Sequence, residues 1–288
     1  MVKIKDAFKK AQEILKENGI EDFKSDAFFL MTGLFEVDRA DFLSDREIDF
    51  SVLENALERR IKGEPCAYIT GETEFMSLPF KVNKNVLIPR QDTENLVEYI
   101  INSAKGQEKI LDLCTGSGCV GISLKKYIKD ASVTMVDISD GAIETAEKNA
   151  KLNNADVKIV KDDVLNPKHC YDMYDVLVSN PPYIEKKVIE TLENQVKDFE
   201  PNLALDGGED GLVFYRKIAK DFKKHIKNGG MCIFEIGFNQ GGAVKEILEE
   251  NGFTDVEIIR DYNDNDRIVR GTRNESNIQS RYRGSKNS

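Results

Sequence analysis

Paired cysteines, long apolar runs and an excess of positive charge are all missing from this chain. Its five cysteines (Cys66, Cys114, Cys119, Cys170, Cys232) are odd in number, scattered and never arranged as CxxC. That spacing offers neither a disulfide framework nor a thiolate zinc site. Free thiols fit a reducing cytosol, and their simplest use is as small buried hydrophobes. No run approaches the roughly 18 apolar residues a membrane span needs. The first ten residues are lysine-rich without an apolar stretch, so no secretory signal is expected. The formal net charge of −10 over 288 residues argues against a protein that grips nucleic acid through its phosphates. The two histidines, His169 and His225, read as surface residues rather than ligands. What remains is a soluble, cytoplasmic chain of one large or two moderate domains, long enough to bury a proper core.

Residues 2–62 read as helices only. Ile4, Phe8, Ala11 and Leu15 recur at helical spacing up to a stop at Gly19. Ser25 is placed to cap a second helix, and Ser51, with Glu54 as a capping box, a third that ends at Gly63. The spacing predicts a small bundle over 1–64, either a structural cap or a docking module for a protein partner. With 13 basic and 17 acidic residues over 1–84 it carries no nucleic-acid footprint. From 65 to 90 the periodicity changes: Glu74–Met76, Phe80–Val82 and Val86–Ile88, broken by Pro79 and Asn85, suggest a β-hairpin linker. Asp92 then caps a helix through Leu96, Val97 and Ile100. Over 91–273 strand and helix alternate. Strands are expected near 109–113, 132–137, 156–160, 175–179, 230–236, 253–259 and 267–271, and helices over 119–129, 139–153, 210–227 and 240–250. Such alternation predicts an α/β fold with a largely parallel sheet covered on both faces. Residues 184–208 lack a clear element and are expected to cover the site. The polar tail 274–288 is expected to be disordered.

Two stretches carry chemistry. Asp175–Ser179 is a short apolar run that stops at Asn180-Pro181-Pro182-Tyr183, because two prolines cannot continue a ladder. The Asn180 carbonyl and the freed Pro181 carbonyl are two acceptors beside an aromatic face, a setting that suits a planar NH2 group. Upstream, Ile110–Leu113 runs into Cys114-Thr115-Gly116-Ser117-Gly118, a glycine turn opening a helix. With Gly121 it formally matches the dinucleotide fingerprint, so an NAD enzyme stands beside other nucleotide readings. Asp137 ends the next strand about 20 residues on, where an acid accepts from ribose hydroxyls. Asp163, or Asp162 beside it, follows the third strand and is placed to meet an adenine amino group. Asp112, Asp137, Asp163 and Asn180 at four successive strand ends describe one adenosine-shaped site next to one amide-shaped site.

This ensemble resembles the Rossmann-like S-adenosylmethionine-dependent methyltransferases, in the branch whose Asn-Pro-Pro-Tyr motif serves nitrogens on planar systems. Gly63–Phe75, Leu87–Glu94, Phe199–Gly208, Phe234-Glu-Ile-Gly237 with Gln240, and Arg260–Arg267 narrow the resemblance to the release-factor glutamine N5-methyltransferases, the PrmC/HemK family. It covers everything but the tail, departing at Gln91, where proline is common, and at Cys114, where glycine is usual. The resemblance implies methyl transfer to the side-chain amide of the GGQ glutamine of peptide chain release factors, with the 1–64 bundle as their docking module. It implies cofactor contacts from Asp112, Cys114, Thr115, Gly116, Ser117, Gly118, Asp137, Ile138, Asp163, Val164 and Asn180. Substrate contacts fall to Asn180, Pro181, Pro182, Tyr183 and Arg90, with Asn180, Pro181 and Tyr183 the catalytic set. Arg90 alternatively pins the linker, and the role of Glu235 stays open. The competing readings are an amino methyltransferase acting on a flipped base, an inactive docking module and an NAD enzyme.

Overall fold

A computed structural model describes residues 1–38 and 40–275; all but the first two residues of the expected tail lie outside the described residues. The chain begins with three helices, α1 (Ile4–Glu17), α2 (Phe23–Phe35) and α3 (Phe50–Ile61). Ile4, Ala7, Ala11 and Leu15 of α1 recur every three or four residues and are all buried against Leu30, Met31, Leu53 and Leu57. The expected caps differ. α2 starts at Phe23 with Asp22 before it, so Ser25 lies inside the helix. α3 starts at Phe50 because Asp49 accepts from the Ser51 amide and hydroxyl, which leaves no Ser51–Glu54 box. The reading of helices only also misses a two-residue ladder, Val2–Lys3 against Glu47–Ile48.

Between 65 and 90 the chain first forms a short helix, α4 (Cys66–Thr70), and then the hairpin Glu72–Phe75 with Leu78–Lys81. Its two-residue turn, Met76-Ser77, has φ of 50° and 55°, the left-handed pair that matches strand twist. Neither residue is glycine. Glu94 fixes the turn by accepting from the Met76 amide at 2.6 Å, and the Tyr127 hydroxyl donates to the Met76 carbonyl at 2.6 Å. The hairpin is fastened to the sheet domain: Asn149, fully buried, accepts from Lys81 N and donates to the Lys81 and Ser117 carbonyls.

Next comes α5 (Gln91–Ser103), preceded by Arg90; Asp92 sits in its first turn rather than at its cap. The central sheet comprises β1 (Lys109–Leu113), β2 (Ser132–Asp137), β3 (Lys158–Lys161), β4 (Tyr174–Ser179), β5 (Ile226–Glu235), β6 (Phe253–Arg260) and β7 (Asp266–Arg273). Its order is 3-2-1-4-5-7-6, parallel from β3 to β5 and closed by the antiparallel pair β7 and β6. The inner strands read as near-continuous apolar runs because both faces are covered. The covering helices include α6 (Cys119–Tyr127), α7 (Asp140–Leu152), α8 (Val213–Asp221) and α9 (Gly241–Glu250). α8 is much shorter than the expected 210–227: Gly211 at φ 71° precedes it, a 3-10 turn over Lys223–His225 follows, and β5 begins at Ile226.

Residues 184–208 hold more structure than expected. They form the single turns Lys186–Ile189 and Asn194–Lys197, the 3-10 turn Asn202–Ala204 and a bridge between Ile184 and Asp206. Mutual backbone bonds, Ile184 N to Leu205 O and Gly207 N to Ile184 O, close the loop on itself. No helix among the described residues is long and apolar enough to cross a membrane.

Candidate active site

Strand order reverses between β1 and β4, and open α/β sheets bind ligands beyond the carboxyl ends of such a pair. Leu113 and Ser179 are register partners there, and the Ser179 hydroxyl donates to the Leu113 carbonyl at 2.6 Å. This bond holds the glycine turn after β1 beside the Asn-Pro-Pro turn after β4. A cavity of about 310 Å³ opens above them, at the lower end of ligand-pocket sizes.

The turn after β1 is strained where the sequence departs from glycine. Cys114 has φ 61°, a conformation that costs a side-chain-bearing residue ~1–2 kcal/mol. Burial and the nearby Asp137 charge push its thiol well up, so it stays neutral. Gly116 and Gly118 have φ of 56° and 83°, and a Cβ on Gly116 would point into open space. Asp112 lies beneath the turn, 1% exposed, accepting from the Thr115 hydroxyl and from Gly121 N at 3.1 Å. Burial drives its carboxyl up to about 7, against those two bonds. It therefore braces the loop as well as lining the cavity.

Asp137 accepts from Gly116 N at 2.8 Å and Ser139 N at 3.0 Å, one bond to each oxygen. Burial raises its pKa, and the amide bonds oppose the rise. Each carboxylate oxygen retains a further lone pair for a ligand. Ile138, 44% exposed, Val164 and Leu165 supply apolar wall. The choice between Asp162 and Asp163 is physical. Asp162 takes bonds from the amides of Asp163, Lys168 and His169 and from the Tyr171 hydroxyl, so its oxygens are filled. Among the described residues Asp163 takes only Leu165 N and the Asn166 side chain.

Asn180 and Pro182 line the cavity; Pro181 and Tyr183 flank it without forming its wall. Asn180 Nδ2 donates to Thr93 Oγ1 of α5 at 3.2 Å, which leaves Oδ1 as the unengaged end of the amide among the described residues. The Tyr183 carbonyl is clamped by Gln240 Nε2 at 3.0 Å, while Gln240 Oε1 accepts from Gly237 N. Burial and Glu235 hold the Tyr183 phenol up to about 12. Arg90 Nη2 is engaged by both Glu200 oxygens, so its guanidinium pins the linker to the 184–208 loop.

Several wall residues are not singled out as site residues by the sequence: Lys84–Leu87 and Pro89 of the linker, Pro201, Leu203 and Ala204 of the loop expected to cover the site, and Phe214 of α8, although Leu87, Pro89, Pro201, Leu203 and Ala204 lie within stretches that carry the resemblance. They are distant in sequence and ordinary in type. Thr93 stands inside the Leu87–Glu94 motif, but only its contact with Asn180 reveals a role. Two other expectations need correction. His225 is half-buried against Tyr171 and Phe222 rather than on the surface. Of the cysteines only Cys119 and Cys232 are buried, and Cys170 is exposed.

Acceptors for ribose hydroxyls at Asp137, apolar walls for a purine and an open backbone turn at Gly116 fit an adenosyl sulfonium ligand. Comparison with known proteins agrees with that geometry. Residues 91–228 match a methyltransferase small domain, and residues 6–71 match the PrmC N-terminal domain. A release factor glutamine methyltransferase of Clostridium acetobutylicum is 42% identical over 284 residues, covering 94% of this chain and 99% of that protein. A protein of the same name from Flavobacterium psychrophilum is 37% identical, covering 89% of this chain and 93% of its own length. Among solved structures, a methyltransferase from Pyrococcus furiosus shares the fold with a TM-score of 0.54 at 18% identity, over 77% of this chain and 99% of its own. Similarity of this extent, through both the N-terminal helices and the sheet domain, means that the chain belongs to the release factor glutamine methyltransferase family.

Proposed function

We propose that this protein methylates the side-chain amide N5 of the GGQ glutamine of peptide chain release factors, using S-adenosylmethionine. The observation that carries the reading is Asn180. It stands on the cavity wall one strand from the glycine turn, with its nitrogen turned to Thr93 and its oxygen without a partner among the described residues. Asp137, Ile138, Asp163, Val164 and the 114–118 turn would hold the adenosyl group, with Asp112 beneath them. When bound, the cofactor supplies an electrophilic methyl on a sulfonium.

An amide nitrogen is a poor nucleophile because its lone pair is delocalised into the carbonyl. Asn180 Oδ1 and the Pro181 carbonyl accept the two amide hydrogens and aim that lone pair at the methyl carbon; Tyr183 packs beside the amide plane. Positioning of this kind supplies most of the catalysis of an in-line displacement. With the amide so held, the methyl that the cofactor would supply would replace one amide hydrogen, which would leave as a proton to solvent. Arg90 shapes the substrate side through its bond to Glu200.

The N-terminal helices dock the release factor, and the acidic balance of the chain disfavours direct nucleic-acid binding. This reading places the protein with its substrate in the cytoplasm. Incubation with methyl-labelled S-adenosylmethionine and full-length release factor tests it. Label is expected on the GGQ glutamine and absent when that residue is alanine; label in nucleic acid alone would overturn the reading.

A further inference from the structure

Behind Asn180 stands a carboxyl group that the reaction as described does not use. Glu235, the last residue of β5, is 2% exposed, and its Oε2 has no hydrogen-bond partner among the described residues. The Thr93 side chain and the Asn180 amide face this carboxyl and favour its charged form as hydrogen-bond donors do. Asn180 Nδ2 also donates to Thr93 Oγ1 at 3.2 Å. An amide NH2 can only donate, so the Thr93 oxygen accepts and its single proton must point elsewhere. Glu235 is the carboxyl on which that side chain acts as a donor. The chain of bonds therefore runs one way, from Asn180 through Thr93 to Glu235.

We infer that Glu235 is a positioning residue that, through Thr93, keeps the Asn180 nitrogen turned inward and Oδ1 turned toward the incoming amide. This deepens the glutamine-amide reading of the site and rests on it. With the amide reversed, Asn180 Oδ1 would face the acceptors Thr93 and Glu235. The site would then offer a donor to an NH2 group that needs acceptors. A protonated Glu235 removes the constraint: its O–H donates to Thr93, whose proton is then free for Asn180 Oδ1. Acid therefore unlocks the orientation.

Burial holds the Glu235 carboxyl up to about 7; the Thr93 bond and the Arg267 charge oppose the rise, Asp92 adds to it, and the Asn180 bond opposes it least. The unlocking thus falls near neutrality. The other charged and titratable groups facing it are Arg267 on β7, Asp92 on α5, Tyr183 after β4, Cys119 on α6 and Tyr215 on α8. Tyr183 and Cys119 are pushed up to about 12, and Tyr215 is held well above its ordinary value. None of these three changes charge near neutrality. Asp112, the other carboxyl held up to about 7, lies under the glycine turn, where Thr115 and Gly121 bond to it.

The test uses the full chain with Glu235→Gln, Thr93→Val and the double variant, all close to conserved in volume. Each single variant should slow single-turnover methyl transfer roughly 10- to 100-fold, as loss of an outer hydrogen-bond partner does elsewhere. S-adenosylhomocysteine affinity should stay within about threefold, and the double variant should be no slower than the worse single one. A second readout needs no methyl acceptor. The Asn180 side-chain amide signals, identified by their loss in Asn180→Ala, should shift with pH around a midpoint of about 7 in the wild type and stay still in Glu235→Gln. That measurement separates failure of this inference from failure of the glutamine reading. Full transfer rate in Thr93→Val, or Asn180 signals indifferent to pH, would overturn it.

Discussion

Arg90 reaches across 110 positions of chain to place one guanidinium nitrogen 2.6 Å and 2.7 Å from the two oxygens of Glu200. The pair is lopsided: the arginine side chain is 40% exposed and the glutamate side chain 1%. Removing the arginine therefore leaves a buried, unpaired carboxylate, whereas neutralising the glutamate leaves a cation that water can reach. Arg90→Met should destabilise the fold by about 1–3 kcal/mol, reduced from the fully buried case by the exposure of Arg90. Glu200→Gln should cost less. Urea unfolding of the two variants gives the order, and the reverse order would mean that Glu200 is better solvated than its burial indicates.

Asn180→Ala removes the acceptor assigned to the substrate amide without touching the glycine turn. Methyl transfer should fall by about 10²-fold or more. S-adenosylhomocysteine binding, followed by calorimetry, should change by less than about tenfold, or 1.4 kcal/mol. Transfer at the wild-type rate would remove Asn180 from the catalytic set.

Gly118 caps α6 at φ 83°, and a Cβ there would lie 2.8 Å from Met135 Cε and 2.9 Å from Ile122 Cδ1. Gly118→Ala should cost ~1–2 kcal/mol in backbone strain alone. Because the turn and α6 start together, cofactor affinity should weaken in the same variant. A melting temperature and cofactor affinity equal to those of the wild type would contradict the close packing of α6 on β2.

Asn149→Ala strips two donors and an acceptor from the buried junction of hairpin, glycine turn and α7. Unsatisfied buried groups cost about 1–3 kcal/mol each when no water replaces the partner. The loss should reach several kcal/mol, with faster hydrogen exchange at the Lys81 amide. Protection unchanged at Lys81 would show that the hairpin is held by its apolar contacts alone.

The acidity of the buried carboxyls sets a stability slope. Asp112 and Glu235 sit at about 7 in the folded state, while an unfolded chain gives up those protons at roughly 4. The folded protein thus holds more protons between these values, and the stability they contribute is lost as pH rises toward and through 7. His225, lowered chiefly by burial, runs the other way, losing its contribution as pH falls through its ordinary value. Comparison with Asp112→Asn and Glu235→Gln isolates the carboxyl contribution. Between about pH 6 and pH 8 their melting temperatures should fall less steeply than that of the wild type. Parallel slopes would argue that both groups are ionised throughout.

Much of this was legible in one dimension. Strand runs such as Ile110–Leu113 and Val176–Val178 are apolar because both faces are covered, so their nature survives in the string of residues. Asn180-Pro181-Pro182-Tyr183 announced itself because two prolines must end a strand. The cap at Ser51 was misplaced because Asp49, two residues earlier, competes for the same amide, and short-range rules rank such neighbours poorly. The α8 boundary failed because Gly211 and the turn at Lys223–His225 interrupt a stretch that composition alone reads as helix.

The order of residues by itself determined an α/β sheet with a glycine turn after one strand and an amide-bearing turn after another, since periodicity and backbone stereochemistry are local. Only the tertiary structure decided that Thr93 and Glu235 stand behind Asn180, that Arg90 is spent on Glu200, that the linker walls the cavity, and that Pro201, Leu203 and Ala204 are the residues of the expected covering loop that line it. Those contacts join positions tens to more than a hundred residues apart. They exist because the reversal of strand order between β1 and β4 gathers remote chain ends at one edge of the sheet.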